Sequence, residues 1–277
     1  MVPKCIAVAT DFSPRADRAI DRAKLLQQHM QAKLCAIHAT NLAADDPPDL
    51  GELNRKMLAS TGLTAEKGRT EFLYPAGSPP HAIASACNKS GADLLLLGPA
   101  RYNTLGDFFL GTAVDYILRT TSKPTLIVKN RAHTDYQQII AGTDFSPGSA
   151  NAILTAADMF PDASIHITHA WQVPFQAFNT DAYVAEELEA EHTATMGKFM
   201  VELTARNGRF GDATSEVVRG DATDAIRKAL ALTPDAMVVV GSHGTSGFKQ
   251  ATIGSVTSEL LRYLEADTLV VNAAAAG

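Results

Sequence analysis

Residues 241–255, GSHGTSGFKQATIGS, carry four glycines, Gly241, Gly244, Gly247 and Gly254, and close on Ser255. Glycine lacks the Cβ that holds a ligand away from the backbone, and it accepts positive φ. A run of this kind can therefore turn several N–H groups toward one point, and an anion, phosphate first of all, suits such a point. The preceding run AMVVVG has the composition of a buried parallel strand, and the following SVTSELLRYLEA reads as a helix. His243 lies inside the turn, where contact with phosphate, service as a base and plain exposure to solvent are all open to it.

Other chemistries are weaker. Ser255, His243 and Asp144 are the residue types of an acyl-transfer triad, but no G-x-S-x-G elbow occurs, and a serine opening a helix already has a capping or phosphate-binding role. The eight histidines are dispersed, with no H-E-x-x-H run and no C-x-x-C pair, so a metal is expected only as a companion of a bound nucleotide. The P-loop ending Lys-Ser/Thr is also missing, which argues against fast nucleotide turnover.

An internal repeat supplies the elements that would position these residues. CIAVATDFSPRADRAI near the start is matched by IIAGTDFSPGSANAIL, with Asp11 on Asp144. Further along, Gly77 falls on Gly220, Gly98 on Gly241 and Gly111 on Gly254, at an offset ten residues longer. The second copy therefore holds an insertion after its second strand. The shared order is strand, T-D-F-S-P, helix, strand, variable segment, strand, helix, strand, turn, helix, strand. That alternation predicts two α/β domains, 1–132 and 133–277, each built on a parallel sheet covered on both faces. Within T-D-F-S-P, Ser13 and Ser146 stand where an N-cap belongs, with Pro14 and Pro147 at the first helical position. Ala16, Ala19, Ile20 and Ala23 form a narrow apolar stripe to lay on the sheet. By themselves Asp11 and Asp144 read as turn residues, and His38 and His169, ending the second strands, as hydrogen-bonded core or edge residues. The insert 173–208 begins as a loop and becomes a helix; its Phe175, Phe178 and Tyr183 suit core or interface packing, or a lid.

The spacing Gly241-x2-Gly244-x9-Gly254-Ser255, with D-F-S-P after the first strand and THA at the end of the second, resembles the nucleotide-loop pattern of the universal stress protein family. The resemblance extends over nearly the whole chain, as two family domains in tandem. It implies Rossmann-like (adenine nucleotide alpha hydrolase-like) domains of strand order 3-2-1-4-5 and, in one branch, bound ATP, with Mg as its companion. Carried over, Asp144 would lie at the nucleoside end and Ala170 against the adenine. Gly241, His243 and Gly244 would line the phosphates, and Gly254, Ser255, Val256 and Thr257 would hold them at a helix N-terminus. Thr245 stands where many ATP-binding relatives place an arginine, with Lys249 nearby as a replacement cation. A second pocket would use Asp11, Ala39, Gly98, Arg101, Gly111 and Thr112, but there Arg101 replaces the second glycine and Pro99 removes an N–H, so it is expected to be degenerate or differently filled.

Composition fits this reading. The 277 residues are 46% hydrophobic, enough to fill two cores, and the net charge is −6 with no long basic block, so nucleic acid is not an expected partner. The first residues are too short an apolar run for a signal peptide, and no stretch approaches a membrane span. With Cys5, Cys35 and Cys87 expected as reduced, buried thiols, the chain is expected to be cytoplasmic. The function expected is that of a stress-response protein that binds ATP or a related adenine nucleotide as a signal, with at most slow hydrolysis, its domains paired as an internal pseudo-dimer. Dimerisation of whole chains stays open. The alternative is a stress module that binds another small molecule or acts like a chaperone. A dedicated enzyme of the wider adenine-nucleotide-binding α/β group is disfavoured, since no S-G-G-x-D-S or H-I-G-H run occurs.

Overall fold

A computed structural model of the protein describes residues 1–40, 42, 48–99, 112–173, 182–233, 235–242 and 253–272. The apolar runs become strands: β1 (Cys5–Ala9), β2 (Lys33–Ile37), β3 (Thr70–Leu73), β4 (Leu94–Leu97) and β5 (Thr125–Ile127) in the first half, and β6 (Gln138–Gly142), β7 (Ser164–Trp171), β8 (Thr214–Arg219), β9 (Met237–Gly241) and β10 (Thr268–Val271) in the second. Between them run α1 (Pro14–Met30), α2 (Leu50–Thr61), α3 (Pro79–Lys89), α4 (Thr112–Thr120), α5 (Pro147–Met159), α6 (Ala182–Arg206), α7 (Ala222–Leu232) and α8 (Ser255–Tyr263).

The sheet order is β3-β2-β1-β4-β5-β10-β9-β6-β7-β8. Each half is therefore an α/β domain of order 3-2-1-4-5, the order that the resemblance implies. Inside each half the neighbours are parallel, and the halves meet where β5 and β10 pair antiparallel, Leu126 opposite Leu269. Parallel strands buried on both faces need no polar alternation, and LLLL of β4 is buried throughout. One face packs beneath α1, α2, α5 and α6, through Ile20, Met57, Ile153 and Phe199. The other packs beneath α3, α4, α7 and α8, through Cys87, Ile117, Ile226 and Leu260. The predicted stripe of α1 is buried in full, and Arg22, Leu26 and Gln27 are buried with it.

The two T-D-F-S-P segments fold alike. Thr10 and Thr143 accept from the N–H of Phe12 and Phe145, and Asp11 and Asp144 accept from the N–H of Ser13 and Ser146. Those bonds hold both phenylalanines in the left-handed region, φ 60° and 62°. The capping differs: the Ser146 Oγ accepts from the N–H of Ser149 at 3.1 Å, whereas the Ser13 side chain makes no cap bond. The longer second copy is also visible, with eight residues in β7 against five in β2 and 25 in α6 against 12 in α2. Tyr183, on α6, is 69% exposed, so neither core nor domain-interface packing accounts for it. Phe175 and Phe178 lie outside the described residues.

Candidate functional site

In an open parallel sheet, ligands bind beyond the carboxyl ends of the strands, where the strand order reverses. In the second half that point lies between β6 and β9, neighbours whose chains continue into α5 on one face and toward α8 on the other. A cavity of about 330 Å³ opens there, lined by Asp144 after β6, Ala170 on β7, Gly241 at the end of β9, and Gly254, Ser255, Val256 and Thr257 at the start of α8. Seven of the nine second-half residues picked from the sequence thus share one cavity; His243 and Gly244 lie outside the described residues.

Each wall has a local cause. Gly254 caps α8 without a side-chain bond, so the N–H groups of the first turn have no acceptor from the cap residue, and the positive end of the helix dipole faces the cavity. The Gly254 N–H donates to the Ser242 carbonyl at 2.8 Å, and the Thr257 Oγ1 donates to the Gly241 carbonyl at 2.7 Å, which ties the helix start to the end of β9. Val240, Ile226 and Leu260 supply an apolar wall, and Asp144 a carboxylate. A flat apolar base, a hydroxylated sugar and an anion could each find a matching part.

Sequence reasoning missed part of this lining: Thr143, Ser149 and Thr168, and Ala222 and Ile226 of α7. Their signal is only positional: Thr143 just past β6, Thr168 within β7, and the others in the first turns of α5 and α7. His169 also lines the cavity, and it is a buried, hydrogen-bonded residue as its position suggested. Its Nδ1 lies 2.8 Å from the Thr143 carbonyl, which can only accept, so Nδ1 carries the proton; its Nε2 then accepts from the His192 Nδ1 at 3.0 Å. His192, on α6, stacks in turn on Trp171. Burial pushes the His169 pKa below its usual value, the bond to Thr143 opposes that, His192 adds to it, and Asp144 opposes it.

In the first half Asp11, Ala39 and Gly98 follow β1, β2 and β4. Arg101 and Gly111 lie outside the described residues, and Thr112 opens α4. Gly98 has a packing reason of its own: a Cβ there would stand 2.9 Å from the Arg15 carbonyl oxygen in α1. Among the described residues no group of three or more His, Cys, Asp or Glu gathers to hold a metal ion, and no helix is long and apolar enough to cross a membrane.

Comparison with known proteins places this arrangement among relatives. The sequence model described as the Universal stress protein family matches twice, at residues 4–129 and 135–272. A universal stress protein of Thermus aquaticus is 30% identical over 138 residues, 46% of this chain and 98% of its own length; one of Bacillus subtilis is 26% identical over 142 residues, 44% of this chain and 96% of its own. Among solved structures, a universal stress protein from Archaeoglobus fulgidus superposes with a TM-score of 0.67 at 15% identity, covering 97% of this chain and 98% of that one, a likeness of fold.

Proposed function

This chain belongs to the universal stress protein family, in a tandem two-domain form, and from that premise we propose that its second domain binds ATP or a related adenine nucleotide, with Mg as a companion of the phosphates. Membership carries a stress-response role; the ligand is the further step. The supporting observation is the single cavity that joins the Asp144 carboxylate, the strand end at Ala170, the glycine end of β9 and the N-terminus of α8. Its volume falls within the range of small-molecule pockets, about 300–1,000 Å³.

In this reading the base lies by Ala170 against the apolar wall of Val240 and Ile226, and Asp144 accepts from the sugar hydroxyls. The phosphates meet the first turn of α8, where N–H groups and the helix dipole both favour negative charge. In this reading binding acts as a signal, with at most slow hydrolysis, in keeping with a sequence that lacks the P-loop ending Lys-Ser/Thr. The working division between the domains is 132/133, and the first domain is not assigned a nucleotide.

The test is the nucleotide content of freshly purified protein, released by acid and separated by chromatography, for wild type and Ser255→Glu. An exposed acid in the first turn favours a helix but repels phosphate. Adenine nucleotide close to one per chain in wild type, reduced at least tenfold in the folded variant, is the expected outcome. A wild type that carries none and takes up none from added Mg-ATP overturns the reading in favour of a module for another ligand.

A further inference from the structure

The three cysteines, remote in sequence, are not equivalent in the fold. Cys35 and Cys87 are buried, whereas Cys5, the first residue of β1, is partly exposed. The Sγ atoms of Cys5 and Cys35 lie 3.7 Å apart. The register pairs Cys5 with Lys33 and Ala7 with Cys35, so the two thiols sit on one face of neighbouring strands, offset by two residues.

That offset decides what the pair can become. With strands about 4.8 Å apart and a rise of about 3.3 Å per residue, the two Cα atoms are separated by roughly 8 Å. A disulfide needs Cα atoms within about 6.8 Å. The start of β1 cannot easily slide to close the gap, because the N–H groups of Lys4 and Cys5 both donate to the Asp93 carboxylate, at 2.8 and 3.0 Å. The contact therefore suits a hydrogen bond, with the buried Cys35 thiol donating and the outer sulfur accepting.

The groups around the outer sulfur act on it in both directions, and the hydrogen bond from Cys35 is the largest of them. Donation from Cys35 lowers the Cys5 pKa, burial raises it, Lys33 lowers it, and Asp93 and Glu71 raise it, leaving it at about 7. Lys33, the register partner of Cys5 on β2, is ion-paired with Glu71. Its role of donor to Cys5, and then burial, push Cys35 upward, and burial pushes Cys87 up to about 11. In its protonated form Cys5 donates to the Ser90 carbonyl at 3.9 Å, a long contact.

We propose that Cys5 is a reversible modification site that takes up a small thiol from a low-molecular-weight disulfide, with Cys35 as a positioning residue that steadies the outer sulfur by donating its S–H. The Cys5 thiolate attacks one sulfur of the disulfide, the S–S bond of the reagent breaks, and its other half leaves as a thiolate that takes a proton from water. Cys35 keeps its proton throughout. Excess reduced thiol reverses the exchange. Because Cys5 lies at the amino end of β1 and the cavity at the carboxyl ends of β6 and β9, this site is independent of the nucleotide reading.

The probe is oxidised glutathione, applied to the folded full chain from pH 6 to 9 and followed by intact mass and peptide mapping. A single adduct on Cys5, removed by reduced glutathione and formed with a rate midpoint near pH 7, is expected. Cys5→Ser should abolish it, and Cys87→Ser should leave it unchanged. Cys35→Ala should move the midpoint toward that of a free thiol, near 8.5, and slow reaction at pH 7 roughly threefold, since the smaller thiolate fraction is partly offset by the greater nucleophilicity of a more basic thiolate, with Cys35→Ser restoring part of the rate. Should Cys35→Ala unfold the chain, the wild-type mapping and pH profile still decide the matter. No adduct on the folded chain, a Cys5–Cys35 disulfide in its place, or a midpoint at 8.5 in wild type overturns the proposal.

Discussion

His169 connects the candidate cavity to α6 through one fixed tautomer, donating to Thr143 and accepting from His192. Protonation at Nε2 removes the acceptor and turns the contact around, so that His192 must change its own tautomer to keep the bond. Since the His169 pKa is lowered by folding, chiefly through burial, the folded chain holds fewer protons there than the unfolded one. Its stabilising contribution is complete above the unfolded value of about 6.5 and is lost as pH falls through the folded one. Urea midpoints of wild type should therefore drop between pH 7.5 and 5.5, and His169→Gln should reduce that drop. His38, lowered by burial in the same way against the Thr10 carbonyl, should keep part of it; an equal pH response in wild type and variant would remove His169 from this role. At this scale the sequence pointed, through backbone chemistry, to Asp144, Gly241 and Gly254, which the fold brings to one cavity. It was silent on His192, because a histidine in the middle of an acidic helix has no local pattern that names its partner. Gly98 shows the converse case, a glycine in the right motif position whose immediate reason is close approach to α1.

The elements were legible because their signals are local. Apolar runs gave the strands, Ser-Pro the helix starts, and the repeat gave the order. What T-D-F-S-P concealed is the left-handed phenylalanine at its centre, set by the two preceding side chains, with the threonine hydroxyl accepting from the phenylalanine N–H and the aspartate carboxylate from the serine N–H. The repeat also suggested two equal caps, and the structure makes them unequal. Ser146 is buried, and its Oγ both receives the N–H of Ser149 and sits within a hydroxyl cluster with Ser149. Ser146→Ala should therefore cost about 1 kcal/mol, at the centre of the range for lost caps. Ser13→Ala should stay within about 0.5 kcal/mol, as a surface change that removes no cap bond. Denaturant titrations of the two variants side by side check this, and equal losses would mean that the second cap carries no more than the first.

At the scale of the molecule, two domains share one sheet, and the joint is polar as well as apolar. Asp267, buried ahead of β10, accepts from the N–H groups of Lys129 and Asn130 at 2.7 and 2.8 Å and from the Tyr136 hydroxyl, and faces Arg22 of α1 at 3.5 Å. Lys129 in turn donates to the carbonyls of Leu261 and Leu264 at the far end of α8. The helix that offers its N-terminus to the cavity is thus anchored at its C-terminus by the first domain. Removing one member of a buried ionic cluster typically costs about 3–5 kcal/mol, so Asp267→Ala should lower stability by that order in denaturant unfolding, and a loss under 1 kcal/mol would show that the cluster is dispensable. The sequence suggested an internal pseudo-dimer, but not the antiparallel register of its joint, Leu126 opposite Leu269, since register across domains depends on contacts more than a hundred residues apart. The proposed function requires one adenine-nucleotide site per chain, at the carboxyl edge of the second domain. Calorimetric titration of Mg-ATP into protein stripped of nucleotide tests it most directly. One site per chain in wild type, lost in Ser255→Glu and retained in Asp11→Ala, is the predicted result; two sites, none, or a single site indifferent to Ser255→Glu would contradict it.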